Sequence, residues 1–108
     1  MTDRPDDWIT ALWDQVRPSA AAKVAVIARA AEAARHGRLQ GAVLTDAWQE
    51  AHRLAGSLGS YGHTDAAEAA AELEHLLDGP AKLPAAGALD GLLARLEAAV
   101  GTTPRGDQ

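Results

Sequence analysis

The sequence contains no cysteine and no phenylalanine, and only 4% of its residues are aromatic. Without cysteine there is no disulfide framework and no thiolate chemistry, a composition compatible with a reducing compartment. Without phenylalanine the core must be assembled mainly from alanine, leucine and valine, and side chains this small favour closely packed helices. Positive charge is also scarce: 10 Lys and Arg stand against 15 Asp and Glu, giving a net charge of -5 and a pI near 5.2. Such a surface repels a phosphate backbone, so nucleic acid is not expected as a partner. Long hydrophobic runs are missing too. The stretch from Ala20 to Ala34 is interrupted by Lys23, Arg29 and Glu32, whereas a membrane-spanning helix needs about 20 uninterrupted apolar residues. The opening Met1-Thr2-Asp3-Arg4-Pro5-Asp6-Asp7 is acidic and has neither the basic start nor the apolar run of a secretory signal. A soluble, cytoplasmic, monomeric protein is therefore expected. Met1 and the loose ends fit a free-standing chain.

With 108 residues, 47% of them hydrophobic, the chain suffices for one domain with a single core. No segment alternates β-branched and polar residues as a half-buried strand would, so the fold class is all-α. Five helical segments can be read between Pro and Gly breaks. The first, about residues 6–16, carries Trp8, Ile9, Leu12, Trp13 and Val16 on one side and ends before Pro18. It is expected to lie as a short lid over the end of the rest. The second runs from an N-cap at Ser19 to a stop at Gly37, with Val24, Ile27, Ala31 and Ala34 as its core stripe. Arg35 and His36 fall in its last turn, where positive charge offsets the helix dipole, so His36 reads as a cap.

The third segment begins near Thr45 and buries Leu44, Ala47, Ala51, Leu54 and Leu58, ending near Gly59 to Gly62. A capping box, Asp65-x-x-Glu68, predicts the start of the fourth, with Ala66, Ala69, Ala70, Leu73 and Leu77 buried and Gly79-Pro80 as its stop. Lys82 and Pro84 fall in the following loop. The fifth, about 85–100, offers Leu89, Leu92, Leu93, Leu96 and Val100. Short connections make an antiparallel four-helix bundle over about 19–100 the cheapest way to bury these stripes, with the extra N-terminal helix at one end and a loose tail at 101–108.

One histidine stands apart from the rest. At about 100° per residue, His52 projects roughly 100° from the stripe of Ala51, Leu54 and Leu58, at the edge of the core. Trp48, Gly56 and Gly59 fall within about 40° of the same direction. One turn below the imidazole is thus a large ring, and above it is bare backbone. Each interior glycine weakens a helix by about 0.8 to 1 kcal/mol relative to alanine, so Gly56 and Gly59 together give up on the order of 2 kcal/mol. Room for a tetrahedral phosphoryl group and for a partner's active site would explain the loss. The competing explanation is that Gly59 or Gly62 merely ends the helix and Gly56 allows close packing.

The run His52-Arg53-Leu54-Ala55-Gly56-Ser57 resembles the acceptor motif of histidine-containing phosphotransfer domains, His-x-Leu-Lys-Gly-Ser followed by a glycine-bearing end. The likeness extends to Ala51 before the histidine and to Ala71-Glu72-Leu73-Glu74 on the next helix, over about Ser19 to Val100. The short first helix matches an N-terminal extra frequent in the family. The resemblance implies a helical phosphorelay protein in which His52 accepts a phosphoryl group from a receiver-domain aspartate and passes it to another receiver domain. Gly56 then matches the family's glycine, Ser57 its small residue, and Glu74 a place where members often carry Gln or Glu near the acceptor. Ala55 departs from the pattern, since most members have lysine there. The implied partners are response-regulator receiver domains and a hybrid sensor kinase. The chain would need no cofactor of its own, because the receiver brings the aspartate and the Mg²⁺. It would be a phosphohistidine carrier rather than an enzyme, the receiver supplying most of the catalysis.

The attack on phosphorus needs the lone pair of a neutral imidazole, the majority form of free histidine near neutral pH. A group holding the opposite ring nitrogen would help, and Glu74, beside the core stripe of its helix, could accept that N–H. Ala55 removes a cation that would neutralise phosphoryl oxygens, and Arg53 points about 100° away from His52 around the helix.

Other sites are weaker. Glu72-x-x-His75 has the spacing with which carboxylate and imidazole share a metal in di-iron bundles, but Gln49 occupies the place three before His52, and no second Glu-x-x-His exists, so no metal site is expected. His75 reads as a surface residue and His63 as an exposed loop residue. Ser57 and Ser60 lack the strand-turn-helix setting of a nucleophile, and Gly56-x-x-Gly59 lacks that of a nucleotide loop. The serious rival is a helical interaction module that binds receiver domains through Trp48 and the glycine-lined surface without transferring anything.

Overall fold

A computed structural model describes residues 7–78 and 86–101, which fold as four α-helices: α1 (Asp7–Arg35), α2 (Gly41–Leu58), α3 (Thr64–Leu77) and α4 (Ala86–Val100), with a 3₁₀ turn at Gly59–Tyr61 between α2 and α3. No strand occurs among the described residues. Each helix packs on two neighbours, α1 and α3 both lying against α2 and α4, in an antiparallel four-helix bundle. The stretch at Gly79-Pro80, Lys82 and Pro84, the first six residues and the tail beyond Gly101 lie outside the described residues.

The core follows the expected stripes. Val24, Ile27 and Ala31 of α1, Ala47, Ala51, Leu54 and Leu58 of α2, the five residues expected on α3, and Leu89, Leu92, Leu93, Leu96 and Val100 of α4 are buried in one cluster. Ala34 and Leu44, expected in it, are half-buried at its edge. Leu39, in the link between α1 and α2, plugs the bundle from that side. Along the α2–α3 contact the buried residues are mostly alanines, Ala47 and Ala51 against a helix carrying Ala66, Ala69 and Ala70. Small side chains let helix axes approach closely, and this is the most extensive helix pair of the bundle.

The separate lid helix does not exist. Residues 7–35 form one helix with Pro18 inside it. Proline removes the N–H that would bond the Asp14 carbonyl, and both Asp14 and Pro18 lie at the exposed surface, where losing that bond costs least. Two anchors tie this half of α1 to the bundle. The Trp13 ring lies 5.5 Å from Tyr61 and 4.4 Å from His63, and Arg17 Nη1 donates to the Val100 carbonyl at 3.4 Å. Ser19 is consequently no N-cap; its Oγ accepts from Lys23 Nζ at 2.9 Å. On the rest of the expected lid face Trp8 and Leu12 are exposed, Trp8 by 62%, while Ile9 and Val16 are half-buried.

Two other helix starts differ from expectation. α2 begins four residues before Thr45, because Gly41 at φ +61° turns the chain into the helix without a side-chain cap. The Asp65–Glu68 capping box does not form. Asp65 sits inside the first turn of α3, and its carboxylate receives Arg95 of α4 at 2.7 Å. The helix ends behave more simply. Gly37 closes α1 at φ +67°, and His36, expected to cap, bonds Glu32 through Nε2 at 2.8 Å. Arg35 also pairs with Glu32 and reaches Asp90 at 2.6 Å, tying α1 to α4.

Candidate functional site

His52 lies on the outer flank of α2, 62% of its side chain exposed. Its neighbours Ala51 and Leu54 are fully buried, so the backbone beneath the imidazole is fixed by the core while the ring stands in solvent. A helical side chain leans toward the turn before its own Cα. His52 accordingly lies over Trp48, the two ring centroids 5.6 Å apart and the planes only 9° from parallel.

The second fixed point comes from α3. Glu74 Oε2 lies 2.8 Å from His52 Nδ1. An ionised carboxylate can only accept a hydrogen bond, so Nδ1 donates to Glu74, and in the neutral ring the lone pair is then on Nε2. The close α2–α3 contact brings a glutamate 22 residues away within reach, and its half-buried side chain, 28% exposed, is braced against the helix. The site therefore offers a nucleophilic nitrogen whose proton is already held elsewhere.

Above His52 the surface is bare. A methyl group at Gly56 would have no neighbour within 4 Å outside its own helix backbone, so close packing does not explain this glycine. Gly59 has ordinary right-handed backbone at φ -61° and would bring a methyl to 3.8 Å from Ala67. The chain instead stops and reverses at Gly62, at φ +86° with its N–H bonded to the Gly59 carbonyl. Of the three, Gly62 is thus required by the backbone, and Gly56 by nothing in the fold.

Ala55, where the resemblance leads one to look for lysine, is half-buried against the core. Arg53 does not substitute for it. Its Nη1 donates to Glu50 at 2.9 Å, and it lines a cleft of about 250 Å³ between α1 and α2 with Lys23, Trp13 and Tyr61. Of the expected site residues, Trp48 and Glu74 thus contact the His52 ring, while Gly56 lies open on the same helix and Arg53 is held by Glu50.

The other histidines lie elsewhere. His63 is half-buried as the residue before α3, its ring against Trp13 and its N–H bonded to the Leu58 carbonyl at 3.1 Å. It is not the exposed loop residue expected, because a tryptophan 50 positions away covers it, a contact that no local spacing reveals. His75 is exposed. Among the described residues no three His, Asp or Glu side chains converge as a metal cage, and no helix is long and apolar enough to cross a membrane. Two further ion pairs lie elsewhere on the bundle, at Arg35–Glu32 and Arg95–Asp65. Hydrogen bonding to Arg95 holds the Asp65 carboxyl below its usual range, and bonds from Arg35 and His36 do the same for Glu32.

A family model described as the Hpt domain matches residues 11–102 of this chain. No curated protein and no solved structure matches it.

Proposed function

Since the chain belongs to the Hpt domain family, whose members carry phosphoryl groups on histidine in two-component phosphorelays, we propose that His52 is the acceptor and that it relays between receiver domains. The observation that carries the reading is the His52 ring itself, exposed, bonded through Nδ1 to Glu74 and bare above at Gly56. In the forward step the Nε2 lone pair attacks the phosphorus of a receiver's aspartyl phosphate. The N–P bond forms as the acyl O–P bond breaks, and the aspartate leaves as a free carboxylate. The developing positive charge on the ring is balanced by Glu74 across the Nδ1–H bond. The reverse sequence delivers the group to a second receiver. Phosphoryl transfer of this kind is mainly positioning and charge stabilisation. In the scheme that membership of this family implies, the partner receiver holds the Mg²⁺ and supplies most of the catalysis, while this chain carries the phosphoryl group.

The test is to incubate the chain with phosphorylated receiver domains. Label should move to it, as an adduct labile to acid and stable to alkali, and His52→Gln should abolish it. The Ala55 site favours one second reading, because no cation stands where the family's lysine would neutralise phosphoryl oxygens and Arg53 is held by Glu50. On that reading the protein only docks to receivers. Binding that survives His52→Gln, with no labelling of the wild type by any receiver, would decide for it.

A further inference from the structure

We infer that Trp48 is a positioning residue for phosphotransfer, setting the plane of the His52 ring while Glu74 selects which edge of that ring faces outward. The inference rests on His52 being the phosphoacceptor.

An imidazole on a helix has two soft torsions. The helix excludes one of three χ1 wells, and χ2 is broad and roughly two-fold, so an unrestrained ring samples about four orientations. A hydrogen bond at Nδ1 distinguishes the two flips of a given plane, since the flipped ring would present carbon to Glu74. It does little to fix the plane, because a carboxylate accepts over a broad range of directions. The indole supplies what is missing. With centroids 5.6 Å apart and planes 9° apart, the pair is an offset stack of the kind aromatic rings prefer. It covers one face of the imidazole and leaves the other open. The reactive Nε2 lone pair lies in the ring plane, so covering a face does not block it.

The choice of tryptophan supports this. Trp48 is half-buried and its Nε1 is buried with no hydrogen-bond partner among the described residues. A buried donor without an acceptor is unfavourable, and leucine would fill the same edge of the core without one. Leucine, however, has no flat face to set a ring against. The side chain at position 48 is therefore accounted for by what it does to His52 rather than by packing alone.

The experiment uses phosphoramidate as donor, a small molecule that needs no docking surface, together with proton NMR of the His52 ring. Stacking over an indole should move the ring-carbon protons of His52 upfield, and Trp48→Leu should remove that shift. Losing the plane while keeping the Glu74 bond should slow labelling of His52 about twofold, the ratio of orientations regained while the flip stays fixed. Trp48→Phe, which restores a flat face, should recover most of the rate. Labelling by Trp48→Leu as fast as wild type, with or without the NMR change, overturns the inference. So does a loss seen only with receiver domains as donor, which would make Trp48 a docking contact. Wild-type protein never labelled on His52 by either donor would instead overturn the phosphoacceptor reading, and this inference with it.

Discussion

Gly56 is where stability and function should pull apart. It lies in the last turn of α2 with helical backbone, and a methyl group there meets nothing within 4 Å beyond its own helix. Replacing a helical glycine with alanine gains about 0.5 to 1 kcal/mol, mainly through the unfolded chain's entropy. For a protein of this size that corresponds to a rise in Tm of roughly 2 to 8 °C. Side chains on a helix lean back over the preceding turn, so a side chain at 56 would lie above His52. Gly56→Ala should therefore melt higher, followed by circular dichroism, while losing some phosphotransfer. Gly56→Met keeps good helix propensity and puts a flexible thioether over the open approach, so it should slow transfer from a phosphorylated receiver by about tenfold or more, the scale of a misplaced reacting pair. Two results would refute the reasoning. If Gly56→Ala lowers the Tm, the glycine serves the backbone after all. If Gly56→Met transfers at the wild-type rate, the space above His52 is not used by the partner.

Three further outcomes are expected. Glu74→Ala should slow labelling of His52 by about tenfold, the lower end of what the loss of a ring-orienting partner does elsewhere, while Glu74→Gln, whose amide oxygen can still accept from Nδ1, should fall in between; single-turnover kinetics would show it. Ala55→Lys should strengthen the phosphorylated form or speed its formation by up to about fivefold, the scale of an exposed ion pair, read from the equilibrium between this chain and a receiver. On pH, hydrogen bonding to Arg95 lowers the folded-state pKa of Asp65, and hydrogen bonds from Arg35 and His36 lower that of Glu32. The unfolded chain therefore takes up protons first, so this stability is complete above the ordinary carboxylate range and is lost as pH falls through about 4 and below. Urea unfolding at stepped pH should show the decline, and Arg95→Met should flatten it; an identical decline in both proteins would mean that the Asp65–Arg95 pair contributes nothing.

The parts of the fold legible in the sequence were those set by periodicity. Stripes such as Ala66, Ala69, Ala70, Leu73 and Leu77 are buried as a set, because a helical period admits a single inward face. The boundaries were not legible where tertiary contacts override local signals. Pro18 and Ser19 together read as a helix end and an N-cap, but Trp13 and Arg17 find partners at Tyr61, His63 and Val100, and these outweigh one missing hydrogen bond. Asp65-x-x-Glu68 has the letters of a capping box, but a cation 30 residues away takes the carboxylate. At the site, the edge position of His52 and the reach of Glu74 were readable from angles on two helices. The stack on Trp48 was readable only as proximity, since the angle between two rings depends on rotamers rather than on spacing.

The surroundings of His52 also fit the demands of a carrier better than those of a binding site. A residue that both receives and surrenders a phosphoryl group gains nothing from contacts that hold the phosphorylated form more tightly than the transition states on either side. Glu74 acts on the ring nitrogen rather than on the phosphoryl oxygens, Trp48 acts on the ring plane, and Gly56 contributes only space. Each fixes the nucleophile without binding the cargo. With alanine at position 55 and Arg53 turned to Glu50, the proposed function requires charge neutralisation to come from the docked receiver. On this argument Ala55→Lys should shift the equilibrium toward phosphorylated His52 while slowing onward delivery to a second receiver. Acceleration of both half-reactions would mean that the cation acts on the transition state, and that its absence here limits the rate of the relay.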